Sequence, residues 1–388
     1  MKSTDNRRSD SDVQTSIITS SDSGGRRQDS AQANVGRRKV LKTICAGTGA
    51  AALAGCSGLG GNGGSGTPTE GSGGGTTVGT ATDSLTDVNV VVAVYGVWDN
   101  SLQYMFGTEK GFYEEEGLNV TKVDAASGGG DLIRTVASGG DVHMGIPVGA
   151  LGLYAAFAEG LDVRILANHQ NMSRDLIWYT TADSEYSGLD DANGARVAFS
   201  NPGSSTHLMA QTALENNNLG DAEVIQTGGP ADANAALQSG EVDFAWTAPP
   251  FFLSSFEEYG GSDYQLGWRG ADVDPFSSLS VRVDFSTNSW LSENPETAKA
   301  LYRAHKKAAD WAYSNLDEAV EIWGNIVDVD DTEFLRNVVE TTYPRECLEL
   351  SAIKGRDAIN DFAVEYDFLD SKLSQDELNS LYDTSYLP

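Results

Sequence analysis

From about residue 88 onward, short apolar runs alternate with helical patterns. Runs at 88–95, 119–125, 142–147, 163–167, 176–180, 196–200, 223–227, 242–247 and 279–285 predict strands. Helices are predicted over 131–137, 151–159, 207–216 and 231–238, and 110–116 reads as a helix end turning into a strand. From Asn294 the chain becomes helical, over 295–313, 316–326, 331–341 and 355–368. This alternation predicts an α/β fold with mostly parallel sheets.

An internal repeat sharpens the expectation. Ser127-Gly128-Gly129-Gly130, a helix, and Ser138-Gly139-Gly140-Asp141-Val142 recur one hundred residues later as Thr227-Gly228-Gly229-Pro230, a helix, and Ser239-Gly240-Glu241-Val242. Each copy leads from a strand through a glycine turn and a helix to a buried strand. A loop then follows, Val148-Gly149-Ala150 in the first copy and Ala248-Pro249-Pro250 in the second. Two α/β lobes of similar build follow from this. Ligands of open parallel sheets bind at the carboxyl ends of strands, so two facing edges make a cleft.

Before residue 88 the periodicity is missing. Residues 1–35 are polar and Ser/Asp-rich, which predicts disorder. Arg37 and Arg38, followed by Lys39-Val40-Leu41-Lys42 and an Ala/Gly-rich apolar run, resemble a twin-arginine export signal. The run is too short and glycine-rich for a spanning helix, which needs about 20 apolar residues. Leu53-Ala54-Gly55-Cys56 at its end resembles a lipoprotein box, so Cys56 is the expected lipidation site; a plain small-residue cleavage site is the alternative. From Ser57 to Thr80, 19 of 24 residues are Gly, Ser or Thr, the composition of a flexible tether. Cys45 would leave with the signal, Cys347 has no partner, and no disulfide is expected.

Charge narrows the partners. Of 26 basic and 56 acidic residues, 17 and 51 lie beyond residue 55. So acidic a chain excludes nucleic-acid backbones as natural partners and suits a high-salt setting where repulsion is screened.

Lys110-Gly111-Phe112-Tyr113-Glu114-Glu115-Glu116-Gly117-Leu118, the Ser127–Gly130 turn, Asn201-Pro202-Gly203-Ser204-Ser205-Thr206 and Gly228-Gly229-Pro230 carry a family resemblance. They resemble the solute-binding proteins of nitrate/sulfonate/taurine-type ABC importers, a group that includes binders of thiamine-pyrimidine precursors. The resemblance covers about 88–388, including Asn294-Pro295-Glu296 and the closing Tyr382–Pro388. It implies a type II periplasmic-binding fold with crossovers near 179–182 and 277–280. The expected organisation is a signal over 1–55, a lipidated linker over 56–86, one lobe from 87–179 with 280–388, and a second lobe over 180–279. The implied partners are a small solute, a permease with its ATPase, and the membrane through Cys56; the protein itself is expected to be a monomer. Its expected place is the extracytoplasmic face of the cell membrane.

Several residues are candidates for contact with a ligand. Gly203, Ser204, Ser205 and Thr206 precede an apolar helix, where backbone N–H groups, hydroxyls and the helix dipole favour an anionic head; a simple helix cap is the alternative. Ser127, Gly128 and Gly129, with Gly149, hold the corresponding place in the other lobe, with a tight turn as the alternative. Trp98 and Asn100 after the first strand, and Trp246 at the end of its strand, can wall a ligand or belong to the core. His169 follows a strand and is either a ligand contact or a surface-loop residue. Arg174 can pair an anionic head or bridge a surface acid.

No enzyme template fits. A nucleophile elbow, a phosphate loop and a zinc-spaced histidine pair are all missing, so neither cofactor nor metal is expected. The sequence therefore predicts a membrane-tethered receptor that captures a small anion between two lobes. A binder of a heteroaromatic precursor is the alternative, and a pyrimidine-synthase-like enzyme or a ligand sensor is the more distant rival.

Overall fold

Among the described residues the first strand begins at Thr86, where a computed structural model places it beside the second. It describes residues 84–123, 128–351 and 353–388. The expectations for Arg37, Arg38, Cys56, the linker and Ser127 fall outside the described residues. In chain order the elements are β1 (Thr86–Val92), α1 (Trp98–Glu109), α2 (Phe112–Glu115), β2 (Leu118–Val123), α3 (Gly128–Ala137), β3 (Met144–Gly149), α4 (Ala150–Ala158) and β4 (Arg164–Gln170). Next come β5 (Ile177–Thr181), β6 (Arg196–Phe199), α5 (Ser205–Asn216), β7 (Glu223–Gln226), α6 (Pro230–Gln238), β8 (Ala245–Thr247) and β9 (Tyr264–Arg269). The chain ends with β10 (Arg282–Ser286), α7 (Asn288–Glu293), α8 (Pro295–Ser314), α9 (Leu316–Val327), α10 (Thr332–Thr342), α11 (Arg356–Glu365) and α12 (Gln375–Leu381).

The first sheet has strand order β2-β1-β3-β10-β4. Its strands β1, β2 and β3 run parallel, as βαβ units require, and β10 runs antiparallel to both neighbours. The second layer contains β8-β5-β9 and the parallel pair β6-β7, joined by the Ala198 N–H donating to the Phe244 carbonyl at 2.8 Å. Here β5 runs antiparallel to β8 and β9. The expectation of mostly parallel sheets thus holds for the βαβ cores. It fails at the strands beside the crossovers, which enter or leave each layer in the opposite direction.

Between 171 and 176 the chain passes from the first sheet to the second, and between 270 and 281 it returns. The first crossover precedes the expected 179–182, because Ile177–Thr181 is already fully paired in the second sheet. "Lobe" below means one sheet with its helices. β9 and α12 carry no apolar period that isolates them in the sequence, and in α1 the apolar Trp98, Leu102, Met105 and Phe106 are interspersed with polar residues. α1 in particular buries polar residues such as Asp99, Asn100, Ser101 and Gln103. Apolar packing gives each lobe its interior: Val88, Val90, Ile146, Leu166 and Leu301 on one face of the first sheet, Trp178, Phe244 and Trp268 in the second. No helix among the described residues is long and apolar enough to cross a membrane.

Candidate functional site

The two lobes touch where α4 and α5 begin. Gly149 caps the N-terminus of α4. A Cβ at Gly149 would lie 3.0 Å from the Gly203 carbonyl oxygen and 3.3 Å from the Ser205 nitrogen. Only a residue without a side chain lets the backbones meet so closely. Gly203 is itself constrained, with φ +80° and a would-be Cβ 3.1 Å from the Phe368 ring. The fold thus places two glycines of different lobes at one seam.

On the α5 side, Ser204 is the N-cap, its Oγ accepting from the His207 N–H at 3.1 Å. Its hydroxyl also stands 2.9 Å from those of Ser200 and Thr206, which are 2.7 Å apart. Thr206 Oγ1 further accepts the Ser200 N–H at 2.9 Å. Capping and ligand presentation are therefore compatible: the hydroxyls hold the turn, and the N–H groups of Ser205 and Thr206 have no hydrogen-bond partner among the described residues. Such first-turn donors, with the dipole behind them, suit an anion.

The first repeat copy reaches the same edge of the first lobe. Gly128 and Gly129 form the first turn of α3, and a Cβ at Gly129 would lie 3.3 Å from Val148 of β3. The second copy differs. Gly228 is left-handed at φ +96°, Gly229 caps α6 and Pro230 occupies its first turn. Trp246 is 5% exposed and donates its indole N–H to the Gly228 carbonyl at 3.2 Å, so it props up that turn.

Trp98 and His169 are not brought to the seam. The Trp98 indole is fully buried, edge-on to Phe106, Tyr313 and Trp323, with its N–H on the Tyr313 hydroxyl at 3.2 Å. His169, far from being in a surface loop, is fully buried. Its Nε2 donates to the Asp99 carbonyl at 2.7 Å, and Nδ1 is 2.7 Å from Asp284 Oδ1. Burial opposes the charged imidazole, but Asp284 outweighs it and raises the pKa of His169. Asp284 is itself raised by burial, with His169 opposing.

A cluster the sequence reading missed lies beside them. Arg282 sits in register with Gly149 across the β10–β3 ladder. Its Nη2 is 2.6 Å from Asp175 Oδ1 and 3.1 Å from Asp99 Oδ2, and its Nη1 donates to Asn100 Oδ1 at 3.2 Å. Burial disfavours the Arg282 charge, yet Asp175 and Asp99 outweigh it and raise its pKa. Burial pushes the Asp99 carboxyl up to about 6, against Arg282 and with help from Asp175. These three residues come from α1, the first crossover and the start of β10, so they fix the first crossover against the first sheet. One signal was available: Arg282 and Asp284 fall two apart in a strand, alternating with Val283 and Phe285, hence on one face. Their partners are not legible from spacing.

Arg174 lies in the first crossover and faces a cavity away from the seam. Among the described residues no group of His, Cys, Asp and Glu is placed to hold a metal ion.

Comparison with known proteins agrees with this architecture. A Bacillus subtilis (strain 168) protein named "Putative aliphatic sulfonates-binding protein" is 24% identical over 284 residues, covering 72% of this chain and 82% of its own. The periplasmic aliphatic sulphonate binding protein SsuA of Escherichia coli superposes with a TM-score of 0.60 at 15% identity, over 76% of this chain and 91% of its own. The periplasmic nitrate-binding protein NrtA of Synechocystis PCC 6803 gives 0.60 at 15%, over 78% and 87%. The NMT1/THI5 like family profile matches residues 98–319, more than half of the chain. A bilobal α/β body with two crossovers, solved relatives of the same fold and this family match together place the chain in the NMT1/THI5-like family, with a periplasmic-binding-protein fold.

Proposed function

We propose that the protein is the solute-binding component of an ABC importer, which captures a small anion of the sulfonate or nitrate class between its lobes and delivers it to a permease. The observation that carries this reading is the seam, where the Ser205 nitrogen stands beside the Gly149 backbone and the N–H groups of Ser205 and Thr206 are without a partner among the described residues. The named relatives bind aliphatic sulfonates or nitrate, which supports the same class here. Lobe closure would complete the site, and no bond is made or broken. The seam residues offer N–H and hydroxyl donors, while Arg282 is committed to Asp99 and Asp175. Helix-end dipoles must therefore supply most of the attraction for an anion. Export through the Arg37-Arg38 signal and anchoring through Cys56 belong to the same reading and put the receptor on the outer face of the membrane.

The test is thermal unfolding of the full chain at fixed multimolar salt, against nitrate, taurine, alkanesulfonates and hydroxymethylpyrimidine. A ligand at 100 times its Kd adds about 2.7 kcal/mol of stability. Stabilisation by a sulfonate or by nitrate is expected. Stabilisation by the pyrimidine alone, or by none of the panel, overturns the anion-receptor reading.

A further inference from the structure

A cavity of about 500 Å³ opens at the hinge, bounded by Met172 and Arg174 of the first crossover, Tyr259, Arg269 and Asp272 of the second lobe, and Thr341 of α10. None of its walls belongs to the Gly149–Gly203 seam. Its volume is in the range that holds a small organic ligand, roughly 300–1,000 Å³, and exceeds what a bare halide or sulfate fills.

Charge in this cavity runs against the rest of the molecule. The chain beyond residue 55 has three acids for each base, and most of its cations stand beside carboxylates. The Arg174 guanidinium makes no ion pair or hydrogen bond among the described residues. Its sequence neighbour Asp175 is turned inward onto Arg282 at 2.6 Å. Asp272, the acid in the wall, uses Oδ2 to accept the Arg269 backbone N–H at 2.9 Å. The field of Arg174 is felt instead by the buried Cys347 thiol, where it opposes the rise to about 11 that burial imposes. A half-buried, unmatched guanidinium facing a half-open cavity is a site for a carboxylate, phosphonate or sulfonate. Met172 and Tyr259 give that space an apolar wall for the rest of such a molecule.

We propose that the hinge cavity binds a small organic anion, its oxyanion head on Arg174 and its body against Met172 and Tyr259, at a site separate from the interlobe seam. The walls come from a crossover, the second lobe and α10, pieces that shift against one another when lobes rotate. An occupant therefore favours one lobe arrangement, and by linkage it changes the affinity of the seam for its own ligand.

The experiment titrates the full chain with benzoate, phenylphosphonate and benzenesulfonate at constant ionic strength, by calorimetry. Crystals soaked in 4-iodobenzoate locate the head group by the iodine signal. Saturable binding of at least one probe is expected, with iodine in the hinge cavity. Arg174→Gln should weaken it about tenfold or more, the loss of one charge-assisted contact. Arg174→Lys should restore part of it, and Gly149→Leu, which biases the lobes, should shift its affinity without abolishing it or moving the iodine out of the hinge cavity. Failure of all three probes, equal binding by Arg174→Gln with an unchanged melting temperature, or iodine only at the seam would each overturn the proposal. Since the seam variant is read in parallel, failure here is distinct from failure of the anion-receptor reading.

Discussion

At the seam the lobes meet backbone to backbone, Gly149 against Gly203 and Ser205, whereas at the pivot buried charge ties the first crossover to the first lobe, Arg282 between Asp99 and Asp175. The first contact has no side chain to disengage and leaves N–H donors free. The second holds three charges away from water, so each depends on the others. A receptor needs this division of labour, because a surface that must open should have little to break. The point it turns on should have much. Four substitutions test that contrast.

Arg282→Leu should have the largest effect. It leaves two carboxylates buried without a partner, and denaturant unfolding should show a loss of about 3–5 kcal/mol. A loss below about 1 kcal/mol would mean the cluster does not hold the pivot. Gly149→Leu should do the opposite, leaving unfolding of the free protein nearly unchanged. Its side chain should hold the lobes apart, seen as a larger radius of gyration by solution scattering, and remove the ligand-induced stabilisation of about 2.7 kcal/mol.

Asp99→Asn sharpens the electrostatic side. The folded pKa of Asp99 is raised to about 6 from an ordinary 3.8, so its protonated form favours the fold. That contribution is present below pH 3.8 and is lost as pH rises through 6. The stability difference between wild type and variant should therefore shift by on the order of 2 kcal/mol between pH 4 and 7, wild type losing more. A flat difference would show that Arg282 already keeps Asp99 ionised throughout. Ser204→Ala should have the smallest effect, about 1 kcal/mol for a lost N-cap. Ligand binding should survive it, since the donors of Ser205 and Thr206 are backbone groups.

Legibility in the sequence follows the same division. The Gly203–Thr206 segment was readable as a helix start, because capping is local and its residue types are few. Gly149 was readable only through the repeat. Trp98 and His169 show where local reading stops. Each follows a strand expected from the sequence, as a ligand contact would, yet the indole is taken up by Tyr313 and the imidazole by Asp284, from elements far along the chain. α1 went unpredicted because it also buries Asp99, Asn100, Ser101 and Gln103 around Trp98, Leu102, Met105 and Phe106, which blurs the apolar stripe that marks most buried helices.

The sequence by itself determined the alternation of strands and helices, the twofold glycine-turn unit, the acidic character and the family resemblance. These depend on neighbours within a turn or two, or on composition. Tertiary structure alone decided which glycines face each other, where the crossovers fall, and which charges are buried together. Asp99, Asp175 and Arg282 stand far apart in the chain and become a cluster only when α1, the first crossover and β10 converge. Burial and charge pairing are properties of that convergence, and no local pattern encodes them.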